Sequence, residues 1–191
     1  KVLRFRYPAP VTKPYDKYWI STEELQEKAY AELMKEQRDA RHIAKLISAG
    51  KAENEKNAQL ADIRARALDV TMQMANNEQE FMKQSRNHEN GILNADEYNF
   101  LYAEHMEKQA ELDSVLQSYM EIMDEIELAF SLKNPWIIRF SDVTAEDAFS
   151  SKGIKKYITK VWVYRFDTVR LEFSLPEWKK RFPQAWFSEE R

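Results

Sequence analysis

Catalysis would have to start from the titratable and nucleophilic side chains, and few of them are grouped. Three histidines are present, His42, His88 and His105. Histidine is the side chain that changes charge near neutral pH without help. No two of the three share a helical face with carboxylates at metal-ligand spacing. His105 falls on a heptad position, which suits a structural or part-exposed role, and His88 falls in a polar turn where solvation is expected. The carboxylates Glu23, Glu24, Glu121, Asp124, Glu125 and Glu127 sit in long helical stretches, where they read as solvated faces with i,i+4 pairing. There is no cysteine, which excludes disulfides, a thiol nucleophile and thiolate-bound zinc. Three glycines could hardly build a phosphate-cradling loop. The expectation is a binding chain with no catalytic residue, metal or cofactor of its own.

Two binding chemistries remain. Lys152, Lys155, Lys156, Lys160 and Arg165, followed by Arg170, Lys179, Lys180 and Arg181, interleave with Trp162, Tyr164 and Trp178. Such a set could contact the phosphates of DNA, or simply form a solvated basic face. The whole chain carries a net charge of −3, so any such attraction is local. Ile92 and Leu93, with Tyr98 close behind, are apolar residues beside a polar turn. They suit contact with another molecule, or packing against Phe81, Met82 or Phe100. Tyr102, Met106, Tyr119, Met120 and Met123 could extend that surface, but several of them lie on heptad positions and suit a helix–helix seam.

The elements that must position these residues are mostly helical. Charged residues make up 32% of the chain and mean hydropathy is −0.70, as in long helices that bury one stripe and solvate the rest. Residues 1–20 hold a short strand signal in Val2, Leu3, Phe5 and Tyr7. Pro8, Pro10 and Pro14 then forbid helix and central strand. Ser21 with Glu24 opens a helix as a capping box. Helical sequence runs to about Asn87, with a break or a frayed turn at Gly50. Leu60, Ile63, Ala67, Val70, Met74, Asn77 and Phe81 form a heptad seam with one polar position. Gly91 suits a left-handed helix end, and Asn94 with Glu97 an N-cap.

A second helix is predicted over residues 95–132. Tyr98, Tyr102, His105, Gln109, Leu112, Leu116, Tyr119, Met123, Ile126 and Phe130 step by fours and threes along it. It would be roughly 57 Å long at about 1.5 Å per residue, and the short turn folds it back antiparallel on the first. Asn134-Pro135 ends it. Residues 136–140 (WIIRF) form an apolar cluster. Thr144 with Asp147 opens a short helix reaching about Ser151, and Gly153 begins the approach to a hairpin. Residues 157–166 and 169–175 are β-rich, joined at Asp167-Thr168.

This order of features resembles the C-terminal region of the large serine recombinases, the phage integrases and transposon resolvases. In that family a coiled-coil arm rises from a zinc-ribbon DNA-binding domain. Asn90-Gly91-Ile92-Leu93-Asn94-Ala95-Asp96-Glu97-Tyr98 is similar to the family's arm turn. Residues 143–151, then 154–164 (IKKYITKVWVY) and 169–173 (VRLEF), are similar to its short helix and strand pair. Residues 19–25 (WISTEEL) are similar to its entry helix. The likeness spans most of residues 18–175. Two things depart from the family: the ribbon cysteines and the catalytic serine domain are both absent. The resemblance implies a parent that recombines DNA and binds zinc elsewhere. It implies an arm that contacts other recombinase subunits and a directionality factor during synapsis, with Ile92, Leu93 and Tyr98 at the tip.

The expected fold class is therefore mainly α, a long antiparallel two-helix coiled coil on a small α/β base with a β-hairpin. Residues 1–20 give the base a strand and connector, 21–132 the arm with its tip turn near 87–96, and 133–191 the rest of the base. No run of about 18 apolar residues appears, so no membrane span is expected. Lys1 opens the chain with no targeting region behind it, and a piece of a larger cytoplasmic protein, bacterial or phage-encoded, is expected. The readings that compete are a coiled-coil adaptor or spacer, and a nucleic-acid-binding α/β module.

Overall fold

A computed structural model describes residues 2–4, 19–163 and 169–187. The chain divides into two compact units, Ala52–Phe130 and a second made of Lys1–Lys51 with Ser131–Arg191. It is mainly helical, with two small antiparallel strand pairs.

The first unit is a helical hairpin of α2 (Glu53–Glu89) and α3 (Ala95–Ala129), which pack closely along their length. The residues turned inward are the heptad positions. Leu60, Ala67 and Val70 on α2 are buried, as are Leu112 and Ile126 on α3, and Phe130 is buried just beyond it. Ile63, Met74, Leu116, Tyr119 and Met123 are half-buried between them. Tyr102 departs from the expected seam: it is 46% exposed, and Leu101 is half-buried beside it.

The other unit is built around α1 (Thr22–Ser48), against which α4 (Pro135–Ser141) and α5 (Ala145–Phe149) pack. Leu25, Ala29, Leu33, Glu36, Ala40 and Ile43 form its buried stripe. The spacing is helical, but two alanines and a glutamate hide it from a hydrophobicity reading. A polar stripe flanks it. Gln26 donates to the Phe149 carbonyl (2.8 Å), Gln37 to that of Val143 and Arg41 to that of Ser141 (2.8 Å). Those carbonyls lie at or just past the ends of α4 and α5, where helical partners run out. Tyr30 stacks on Phe149 at 4.6 Å.

Asn134-Pro135 does more than end a helix. Asn134 is fully buried and accepts from the Trp136 and Ile137 amides, so it caps α4, with Pro135 in the first turn. The WIIRF cluster is that helix. It supplies Trp136, Ile137 and Phe140 to the core.

Glu36 sits among these rings as a buried carboxylate. It accepts from Trp136 Nε1 at 2.9 Å and from Lys179 Nζ at 2.5 Å, and Lys179 also reaches Asp39 at 2.9 Å. The ammonium lies 5.3 Å from the Trp136 ring and 4.9 Å from that of Phe187. Lys179 belongs to the short helix α7 (Pro176–Lys179), so one ion cluster fastens α7 and α4 to α1.

Of the break or frayed turn expected at Gly50, the break forms: α1 stops at Ser48 and α2 starts at Glu53. Gly50 takes φ +69°, its amide bonds the Ile47 carbonyl, and the Lys51 amide bonds that of Leu46. This is a Schellman ending, which glycine adopts with least strain. The arm expected over residues 21–132 is accordingly divided, since α1 packs with the base elements. Gly153 does not approach a hairpin; it lies inside α6 (Ser151–Tyr157). A Cβ there would stand 1.9 Å from the Asp147 carbonyl oxygen.

After α6 come β3 (Ile158–Val163) and β4 (Val169–Phe173), antiparallel with an irregularity between Ile158 and Lys160. They match the expected strand pair, though the Asp167-Thr168 turn lies outside the described residues. Leu25 packs against Val161, Val169 and Leu171. β1 (Val2–Arg4) pairs antiparallel with β2 (Trp19–Ser21); Phe5 and Tyr7 of the expected strand lie outside the described residues. A 3₁₀ turn spans Gln184–Trp186. Among the described residues no helix is long and apolar enough to cross a membrane.

Gly153→Ala is expected to lower unfolding free energy by roughly 2–3 kcal/mol, because the methyl overlaps backbone. Gly50→Ala, which meets nothing within 4 Å, should cost about 1 kcal/mol, for its positive φ alone. Denaturant titration of both variants separates the two. Lys179→Met strands Glu36 and should cost roughly 3 kcal/mol. Burial pulls the Lys179 ammonium down from its ordinary 10.5, but the bonds and charges of Glu36 and Asp39 outweigh it and the net shift is upward. Its contribution is thus complete below pH 10.5 and is lost as pH rises through the folded value. Melting curves from pH 8 to about 12 should lose this alkaline decline in Lys179→Met.

Candidate functional site

The hairpin tip is a tightly hydrogen-bonded turn that displays an apolar side chain. α2 ends as α1 does: Gly91 takes φ +73°, its amide bonds the His88 carbonyl at 2.9 Å, and the Ile92 amide bonds that of Asn87 at 2.8 Å. Asn94 then caps α3 by accepting from the Asp96 and Glu97 amides, both at 3.0 Å, while the Glu97 carboxylate accepts from the Asn94 amide at 2.9 Å. Asp96 and Glu97 also complement the helix N-terminus.

His88 closes the turn and is not merely solvated. It is half-buried, its Nδ1 lies 3.1 Å from the Leu93 carbonyl, and its ring stacks on Tyr98 at 4.4 Å and 11°. A carbonyl only accepts, so Nδ1 carries the proton. Tyr98 lies 6.0 Å from Phe81. The three predicted tip residues therefore separate. Leu93 and Tyr98 are half-buried within the turn, whereas Ile92 points out, 69% exposed. Phe100 and Met82 flank it in sequence and are also exposed.

Further down the seam lies one polar layer. Asn77 Nδ2 is 3.0 Å from His105 Nδ1 and 3.3 Å from Gln109 Oε1. An amide nitrogen only donates, so His105 Nδ1 offers its lone pair and Nε2 holds the proton, 3.5 Å from the Glu78 carboxylate. Phe81 stacks on the same ring at 4.3 Å. His105 is thus a seam residue with its side chain 9% exposed. An open groove of about 570 Å³ runs beside this layer, with Glu80, Glu104, Glu107, Lys108 and Glu111 on its walls.

In the other unit the predicted basic residues fall on two consecutive elements. Lys152, Lys155 and Lys156 occupy α6 at i, i+3 and i+4, and Lys160 follows on β3. All four are exposed. Lys156 lies 4.7 Å from the Tyr157 ring; its hydrogen bond to Tyr157, and that residue's charge, hold its ammonium above 10.5. Lys160 meets Glu172 at 3.6 Å across the strand pair. Arg165 lies outside the described residues. Trp162, interleaved in sequence, is half-buried. Among the described residues no group of His, Asp and Glu could hold a metal ion.

No protein-family model, curated protein or solved structure matches the chain.

The sequence reading missed two features of this geometry. One is His88 as the brace of the tip, for which the His88–Leu93–Tyr98 spacing carries no recognised signal. The other is charge. The hairpin holds 6 Lys and Arg against 17 Asp and Glu, a net −11, and α3 has Lys108 as its only cation. That asymmetry was countable once the unit boundary was known.

His88→Ala should leave both helices intact and loosen the turn. The expected cost is about 1 kcal/mol, for one hydrogen bond and one ring stack. Hydrogen exchange should quicken at the Ile92 and Leu93 amides while the Leu112 amide keeps its protection.

Proposed function

We propose that this chain is the C-terminal segment of a site-specific DNA recombinase of the serine class, and that its helical hairpin makes the subunit contacts of synapsis. The hairpin acts as an antiparallel coiled-coil arm, and its tip engages another recombinase subunit or a directionality factor. The observation that carries this reading is Ile92. A large apolar side chain is displayed at the end of a turn that a capping box, a histidine brace and a Schellman ending hold rigid. A rigid display limits the entropy lost on contact, and an apolar residue on a rigid tip suits the centre of a small interface. The order of turn, return helix, short helices and strand pair agrees with the recombinase resemblance. Zinc and the recombination chemistry belong, on this reading, to the rest of the parent protein.

The exposed lysines of α6 and β3 favour a second role. Lys152, Lys155, Lys156 and Lys160 form a compact cationic face that suits DNA phosphates, so the base lies against the DNA while the acidic hairpin stays off it.

The test is Ile92→Asp with Leu93→Asp in the full-length parent. Site binding by each dimer should persist, and synaptic complexes in a gel or single-molecule assay should fall at least tenfold. Unchanged synapsis would sink the proposal.

A further inference from the structure

The two units carry opposite charge. The hairpin is −11. The described residues of the other unit hold 17 Lys and Arg against 11 Asp and Glu, a net +6. Within the hairpin the excess sits on α3, with ten carboxylates and one lysine over 35 residues. Glu104, Glu107 and Glu111 lie at i, i+3 and i+7 and are exposed. They share the groove wall with Glu80. The same helix also exposes apolar side chains away from its seam, Phe100 at 64%, Met120 at 50% and Met106 at 48%. By helical spacing Phe100 shares the face of Glu104, Glu107 and Glu111 (i, i+4, i+7 and i+11), whereas Met106 and Met120 lie on the opposite flank, so the acidic face carries one large exposed apolar side chain.

We propose that α3 docks on the basic face of a second copy of this chain, formed by Lys152, Lys155, Lys156 and Lys160. Three arguments select that occupant. Two hairpins of −11 repel each other, so α3 does not pair with another α3 unless the charges are screened. Nucleic acid is excluded from the same face by its sign. The complementary surface is present in every copy, with exposed lysines on α6 and β3, so a second copy always supplies the partner face. Charge sets the encounter and the orientation, and the exposed Phe100 supplies apolar area.

The contact has a regulatory consequence. It covers the lysines that a polyanion would use, so self-association and nucleic-acid binding compete for one surface. A chain held to polyanion exposes its α3, and a free chain covers it. This inference does not depend on the recombinase reading, because it requires only the two charges and the exposed faces.

Sedimentation velocity on the whole chain tests it. At about 20 mM salt the protein should self-associate, and at about 300 mM the association should weaken at least tenfold, as the screening length shrinks from about 20 Å to about 6 Å. Two triple variants are made on exposed positions, Glu104→Lys/Glu107→Lys/Glu111→Lys and Lys152→Glu/Lys155→Glu/Lys156→Glu. Each alone should be monomeric at low salt. Mixed, they should associate again, because the reversed α3 of one then faces the reversed base of the other. Heparin should dissolve the native dimer. The proposal is overturned by a monomer at every salt concentration, by association that strengthens with salt, or by variants that still self-associate. Ile92→Asp should leave the low-salt dimer intact, so a failure of the tip reading and a failure of this one are distinguishable.

Discussion

Glu36 is the point on which the base unit depends. A carboxylate buried among Trp136, Phe187 and the α1 stripe would be severely destabilising alone. Its two oxygens are answered by different elements, Trp136 from α4 and Lys179 from α7. Neither partner can leave without stranding the charge, so two short helices of seven and four residues are fixed to α1. Helices that short do not persist by themselves. The same logic extends along α1, where Gln26, Gln37 and Arg41 answer the carbonyls at or beyond the ends of α4 and α5. α1 is a post whose polar stripe does as much organising as its apolar one.

The hairpin follows a different rule. Its order comes from repetition, one layer of side chains after another, with the single polar layer of Asn77, His105 and Gln109 interrupting the apolar ones. A polar layer disfavours shifted pairings, because a slip would leave three hydrogen-bonding side chains facing apolar ones. A defined register places a turn of fixed geometry at the end of the seam and presents Ile92 in one orientation, as the proposed tip contact requires.

The proposed roles draw on this contrast. The hairpin offers a rigid apolar tip and an acidic flank; the base offers a cationic face on α6 and β3. On these proposals, opposite charges let the two surfaces discriminate among partners: polyanions would be directed to one and repelled by the other, and basic or apolar protein surfaces would be received where nucleic acid is not.

Periodicity made the hairpin legible. Leu60 to Phe81 and Tyr98 to Phe130 repeat at heptad spacing, and Gly91, Asn94 and Glu97 mark the turn chemically, so both helices and the tip could be placed from residues alone. The β3 and β4 strands were equally plain in their Val, Tyr, Trp and Phe content. The stripe on α1 was not legible, because Ala29, Ala40 and Glu36 do not look like core, and their burial is decided by α4 and α7 from a hundred residues away. The break at Gly50 stood as one of two options, since a lone glycine can also sit inside a helix; the Schellman bonds of Gly50 and Lys51 decided it. At the tip, sequence grouped Ile92, Leu93 and Tyr98 by nearness. Only the folded turn, with His88 drawing Leu93 and Tyr98 inward, separated the one exposed residue from its two neighbours. Local chemistry and repetition are written along the chain, but burial depends on what distant segments bring, and that exists only once the chain has folded.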